Sequence, residues 1–344
     1  MVSPEQAAGG VAVAAIVMYT IFGGADFGGG IWTLLATGPR KQEQRNALER
    51  AIGPVWETNH VWLILVVVTL FVVFPAAYAA IFTALYVPLF IALLGIVARG
   101  TAFALRHYGA KGSRLSQIAL QSFSGASVLT PFALGLSIGA VTGGHIKLTG
   151  TTVSSGAFTG WLQPFAITCG LIGLLLCAFL TAAYMIPRTE GELRRDFRQR
   201  AIAASLALGA VTTAAILIAH LNASEFSEEL SRPSVLAGMV ITACVGLVTL
   251  GLLLRGESTW VPILAAATAG GVILSWALAQ NPDFIAPGLS LQDAAAASIT
   301  VKSFLIALAC GAVILVPSLL LLYLTFSRDV FGEGKPGIHG EASH

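Results

Sequence analysis

Long apolar runs alternate with short polar joints along nearly the whole chain. The runs fall near residues 9–36, 52–74, 76–98, 116–141, 161–186, 202–220, 235–254, 259–280 and 301–326. Each is close to the roughly 20 residues that a helix needs to cross the hydrocarbon core of a bilayer. Nine transmembrane helices are predicted. The second and third must be separated, because Thr58 to Ala98 contains no Asp, Glu, Lys or Arg. At about 1.5 Å per residue that stretch is about twice one crossing. Phe74-Pro75 is the predicted turn, since proline disfavours helical geometry in the residue before it.

Composition agrees with the pattern. Hydrophobic residues make up 56% of the chain and charged residues 10%, against about 25% charged in soluble domains; the mean hydropathy is +0.82. The fold class is therefore all-α, a polytopic membrane protein. No polar stretch is long enough for a separate soluble domain, so residues 1–330 read as a single transmembrane domain and 331–344 as a flexible cytoplasmic tail. The start, Met1-Val2-Ser3-Pro4-Glu5-Gln6, has no positive region of the kind that precedes a cleaved signal, and the first apolar run is expected to remain as a helix.

The net charge of +2 matters less than where the bases lie. With the N-terminus outside, the inner loops hold Arg40, Lys41, Arg45, Arg50, Arg99, Arg106, Lys111, Arg114, Arg188, Arg194, Arg195, Arg198, Arg200, Arg255, Arg328 and Lys335. The outer segments keep Lys147, Arg232 and Lys302. This positive-inside bias predicts an external N-terminus and a cytoplasmic C-terminus. Cys169, Cys177, Cys244 and Cys310 all lie in apolar runs without a Cys-x-x-Cys pair, and they read as small core residues.

Two acids stand out against this background. Asp26 sits among glycines in Gly23-Gly24-Ala25-Asp26-Phe27-Gly28-Gly29-Gly30, inside a run long enough to span the membrane. An unpaired carboxylate there costs from about 3 to over 10 kcal/mol, so such residues usually face a bundle interior and handle protons or ions. Glu57 opens the next apolar run in Gly53-Pro54-Val55-Trp56-Glu57-Thr58-Asn59-His60-Val61-Trp62-Leu63. His60 follows Glu57 at i+3, on the same helix face. Asp26 lies about ten residues, or roughly 15 Å, from the inner end of its helix. Asp26, Glu57 and His60 can therefore converge in the cytoplasmic half of the membrane, where two carboxylates and an imidazole form the composition of a proton intake path.

A plainer reading stands beside this one: Gly24 and Gly28 form a small-xxx-small packing face, and Asp26 then serves as a hydrogen bond to a neighbouring helix. A different class also fits the pattern, a proton-coupled secondary transporter whose glycine-rich stretch is a broken helix framing a midplane substrate site. No Walker loop, dinucleotide fingerprint or Cys-x-x-Cys-His motif is present, so the sequence offers no evident site for ATP, NAD or covalent heme.

The two motifs, in this order and with a nine-helix count, resemble subunit II of cytochrome bd-type quinol oxidases. The resemblance implies a respiratory terminal oxidase that oxidises quinol and reduces oxygen to water. It implies two four-helix bundles plus one extra helix, and a heterodimer with subunit I, which would carry heme b and heme d and the quinol site. It also leaves room for a small single-helix accessory subunit, for a structural quinone or lipid in this chain, and implies the cytoplasmic membrane of a prokaryote. Asp26 and Glu57 match the family positions that pass protons toward the oxygen-reducing heme, with His60 assisting. Members commonly read Asp-Gly-Asn-Glu where this chain has Glu57-Thr58-Asn59-His60; the first acid is kept and the second becomes His60, which can still relay protons near neutral pH.

Overall fold

A computed structural model describes residues 3–52, 56–108, 114–256 and 259–331. The chain begins with α1 (Pro4–Met18), a π-helical turn (Tyr19–Gly23) and α2 (Gly24–Leu34), which together form one 31-residue apolar segment. Ser3 starts it with a reciprocal cap: its hydroxyl accepts from the Gln6 amide at 3.2 Å, and the Gln6 side chain accepts from the Ser3 amide at 3.0 Å. Pro4 occupies the first helical position, where no N–H is needed. A polar helix, α3 (Lys41–Ile52), precedes α4 (Trp56–Val73), α5 (Pro75–Ala84) and α6 (Tyr86–Tyr108).

The apolar stretch turns by 118° between α4 and α5, at Phe74-Pro75. The single helix expected near 76–98 is divided: α5 ends at Ala84, Leu85 leaves helical geometry, and α6 begins at Tyr86. Pro88 explains the break. In a continuous helix its ring would strike the carbonyl of Ala84 and its missing N–H would orphan that oxygen. With the break at Leu85, Pro88 falls in the first turn of α6, and the Leu89 amide closes that turn on the Leu85 carbonyl at 3.0 Å.

The remaining elements are α7 (Arg114–Thr142), a hairpin of β1 (Leu148–Thr149) and β2 (Thr152–Val153), α8 (Pro164–Met185), α9 (Gly191–Asn222), α10 (Ser224–Leu230), α11 (Pro233–Arg255), α12 (Val261–Gln280), a hairpin of β3 (Asp283–Ile285) and β4 (Leu289–Ser290), α13 (Leu291–Ala294) and α14 (Ser298–Phe331). The hairpins occupy two connectors, Thr142 to Gly160, rich in Gly, Thr and Ser, and Asn281 to Thr300, which holds Pro282 and Pro287. Prolines start α5, α8 and α11, and α11 stops at Gly256 with φ of 87°. Arg198 on α9 reaches the last carbonyls of α11, those of Leu253 and Leu254.

Among the described residues seven helices are long and apolar enough to cross a membrane, or eight when the bent α4–α5 pair counts as one span; the apolar part of α6, Tyr86–Ala102, is shorter. The protein is a polytopic, predominantly helical membrane protein. Residues 332–344, the expected tail, lie outside the described residues. The chain divides into two units, 1–301 and 302–344, the second of which holds most of α14.

Within the first unit, α7 lies between α6 and α8, α2 packs on α7 and α8, and α1 packs on α4 and α12. The buried core centres on α2, α8 and α9, with Phe27, Ile31, Leu176, Phe179, Leu180 and Phe197 almost wholly enclosed. The glycines of α2 make this approach possible. A Cβ on Gly28 would stand 2.0 Å from the Cys177 carbonyl oxygen, and one on Gly30 would stand 2.1 Å from Ser127 Oγ. Backbones this close are the membrane substitute for a hydrophobic driving force, because lipid tails are as apolar as leucine. Two buried bonds then fasten α2 to α8: Thr181 Oγ1 donates to the Ala25 carbonyl at 2.5 Å and Trp32 Nε1 to the Ala178 carbonyl at 2.7 Å.

Candidate functional site

The π-helical turn ends immediately before the glycine-rich stretch. Such single wide turns frequently mark functional positions, because the extra residue re-aims the side chains that follow. Tyr19 opens the turn and Gly23 closes it; a Cβ on Gly23 would stand 2.9 Å from the Tyr19 ring, so the glycine lets that ring lie along its own helix. Asp26 follows in the first turn of α2 and is 6% exposed.

Asp26 is not held by α2 alone. Asn59 Nδ2 on α4 donates a short hydrogen bond to Asp26 Oδ2 and also approaches the Phe22 carbonyl at 3.4 Å. The two sequence motifs thus meet, through Asp26 of the first and Asn59 of the second. His60, the next residue, enters the same cluster: its ring centroid lies 6.0 Å from Tyr19 and 6.5 Å from Phe27, both edge-on. Glu57 belongs to the first turn of α4, and its side chain lies outside the described residues.

Arg99 completes the cluster, and here the structure corrects the sequence reading. Counted among the inner-loop bases, Arg99 is in fact 2% exposed within α6. Its guanidinium carbon lies 4.6 Å from the Phe27 ring centroid and 5.2 Å from that of Phe123 on α7. The Phe27 ring that seats it belongs to the residue that follows Asp26. Among the described residues neither its three guanidinium nitrogens nor the Tyr19 hydroxyl has a hydrogen-bond partner. The signal was present in the sequence: Gly100-Thr101-Ala102-Phe103-Ala104-Leu105 continues the apolar helix beyond the charge. Tyr19, and Asn59, quoted only as part of the motif, are the other members of the cluster that the sequence reading did not single out.

An apolar cavity of about 690 Å³ adjoins the cluster. Tyr19, Phe27, Leu63, Leu85, Leu176 and Trp276 are among its walls. A second, polar network lies at the end of α2. Arg40 forms a fork with Asp196, at 2.9 Å to Oδ2 and 2.6 Å to Oδ1. Gln44 donates to the same carboxylate at 2.8 Å, and Arg200 donates to Gln44 Oε1 at 2.6 Å. Arg200 is stacked against Trp32 and Phe197, 5.2 and 5.3 Å from their centroids.

Residues 5–326 match the family model described as cytochrome bd terminal oxidase subunit II. The chain is 29% identical over 203 residues to cytochrome bd ubiquinol oxidase subunit 2 of Bacillus subtilis, covering 58% of this chain and 57% of that protein. It is 24% identical over 365 residues to cytochrome bd-I ubiquinol oxidase subunit 2 of Escherichia coli K12, covering 92% of each. Its fold matches the bd oxidase structure from Geobacillus thermodenitrificans with a TM-score of 0.80 at 20% identity, covering 96% of this chain and 99% of that one.

Proposed function

The chain belongs to the cytochrome bd terminal oxidase subunit II family, and from this premise we propose that it supplies the cytoplasmic proton-uptake path of a quinol-oxidising, oxygen-reducing complex. It is a multi-pass subunit of a respiratory terminal oxidase. In our reading subunit I is its heterodimeric partner and carries heme b, heme d and the quinol site, while this chain contributes no redox centre. Oxygen reduction to water consumes protons, and a buried heme site needs a polar route to receive them. The nine spans in this reading are α1–α2, α4, α6, α7, α8, α9, α11, α12 and α14, with the N-terminus outside and the C-terminus in the cytoplasm of a prokaryote.

One observation carries the proposal: Asp26, deep in an apolar span, takes a hydrogen bond from Asn59 two positions beyond Glu57. The contact of α2 with α8 is fastened without Asp26, by Thr181 and Trp32 through backbone carbonyls. Asp26 and Glu57 can each gain and lose a proton. His60, at one helical turn from Glu57, offers an imidazole, a side chain able to carry a proton. Proton entry on the cytoplasmic side generates charge separation without a pump. The apolar cavity beside the cluster suits the tail of a structural quinone or lipid, and a single-helix accessory subunit is compatible with the same assembly.

The test uses the assembled oxidase. Asp26→Asn and Glu57→Ala are each expected to leave the heme spectrum in place while lowering oxygen consumption by on the order of a hundredfold, the scale of a lost proton-transfer group. Unchanged oxygen consumption in both variants reduces the chain to a scaffold. A purified complex with no heme spectrum points instead to a proton-coupled transporter.

A further inference from the structure

The proton-path reading leaves one charged residue unused. We propose that Arg99 is a positioning residue for proton passage: a permanent positive charge, seated on the Phe27 ring, that keeps Asp26 able to exist as a carboxylate between proton deliveries. The inference rests on the path proposed above and adds to it the group that governs its first buried acid.

Three features lead to it. Arg99 is 2% exposed in α6, whose part from Tyr86 to Ala102 is apolar, and a guanidinium does not lose its proton at accessible pH. A group so placed is costly and is kept where its charge is used. Its flat face is taken up by Phe27 and Phe123, a seat that suits a guanidinium better than an ammonium and fixes it without neutralising it. The ring that holds it belongs to the residue next to Asp26. At this depth the effective dielectric is low, so the attraction between the two charges is much stronger than at a surface. The nitrogens at the edge of Arg99 and the Tyr19 hydroxyl have no hydrogen-bond partner among the described residues, which makes this a pocket where buried water finds several polar neighbours at once.

The groups facing Asp26 are few. Among the described residues, Tyr19 belongs to the π-helical turn, Asn59 and His60 to α4, Arg99 to α6 and Cys177 to α8; Glu57 lies one turn before His60, its side chain outside the described residues. Between them α7 presents Phe123 and Ser127, which carry no charge. Arg99 is the one permanent cation in this set of described residues. Its charge is fixed and opposite in sign to a carboxylate, so the two attract across the pocket. A carboxyl that never releases its proton cannot be reloaded, and a relay through it stops.

The measurement is oxygen consumption of the assembled oxidase as a function of pH, with the heme spectrum as the control for assembly. Arg99→Gln removes the charge and is expected to move the profile to higher pH by about one unit or more and to slow the reaction at neutral pH by about tenfold. Arg99→Lys restores the charge and is expected to return most of the rate and the position of the profile. In the Asp26→Asn background Arg99→Gln is expected to add little, because the two act on one step.

A profile unmoved by Arg99→Gln, or an Arg99→Lys enzyme as displaced as Arg99→Gln, overturns the assignment while leaving the path intact. A normal rate in Asp26→Asn removes the path itself. Should Arg99→Gln fail to assemble, Phe27→Leu takes away the seat and leaves the charge. A smaller displacement in the same direction is then expected, and none overturns the proposal.

Discussion

Asp26 and Asp196 are both aspartates within reach of arginine, yet the protein surrounds them in opposite ways. Asp196 receives the Arg40 fork and the Gln44 amide, and Gln44 is held in turn by Arg200. Its side chain is 14% exposed and that of Arg40 is 38% exposed. The acceptors of this network are matched by donors, and the forked pair needs no rearrangement. Asp26 is enclosed, takes a hydrogen bond from Asn59, and shares its pocket with a cation whose nitrogens meet no acceptor among the described residues. The polar network joins α2, α3 and α9, with Arg200 Nη1 left without a partner among the described residues. The proposed relay would draw on the unmatched polar atoms around Asp26.

The contrast is sharpest in one assay applied to both acids. Asp26→Asn is expected to reduce oxygen consumption by on the order of a hundredfold, while Asp196→Asn leaves it within about twofold, as for a paired group near a surface. Equal losses would erase the distinction. Next in size is Asn59→Ala, which strips Asp26 of its Asn59 donor; hydrogen bonds to charged groups contribute about 1.5–3 kcal/mol, so a loss of about tenfold in rate is expected, with assembly retained.

Gly28→Ala probes structure and not chemistry. The added methyl meets the Cys177 carbonyl and Thr181 hydroxyl, and overpacking of this kind costs about 1–3 kcal/mol. Thermal unfolding of the complex should show it, with the pH profile of the remaining activity unmoved. The smallest effect belongs to Arg40→Ala. It opens the Asp196 fork, lowers thermal stability slightly, and loses even that difference in high salt, because pairs at a surface are screened. A salt-independent loss would show that this network is buried in the assembly.

Much of this was legible in the residues. Asp26 was identifiable from its isolation among glycines, because a charge in a spanning run has few explanations. The turn at Phe74-Pro75 followed from proline stereochemistry, and the break at Leu85 has the same origin in Pro88, although the apolar pattern runs through it as one helix. Arg99 was misread for a definite reason. Bases near the end of an apolar run usually mark the membrane edge, and the positive-inside count rewarded that assignment. The bias survives without it, so the count itself could not expose the error. Tyr19 looked like any aromatic near a helix middle, since the wide turn that aims it leaves no trace in composition.

The sequence by itself determined the class of this protein: apolar runs of bilayer length admit only helices, because each backbone group must find its partner within its own segment. It also determined that an acid would be buried. Which groups would face that acid was decided by tertiary structure alone. Asn59 lies 33 residues from Asp26 in the chain, and Arg99 lies on yet another helix. Only the close approach of glycine-lined backbones, which no local preference encodes, brings these charges and rings into one pocket.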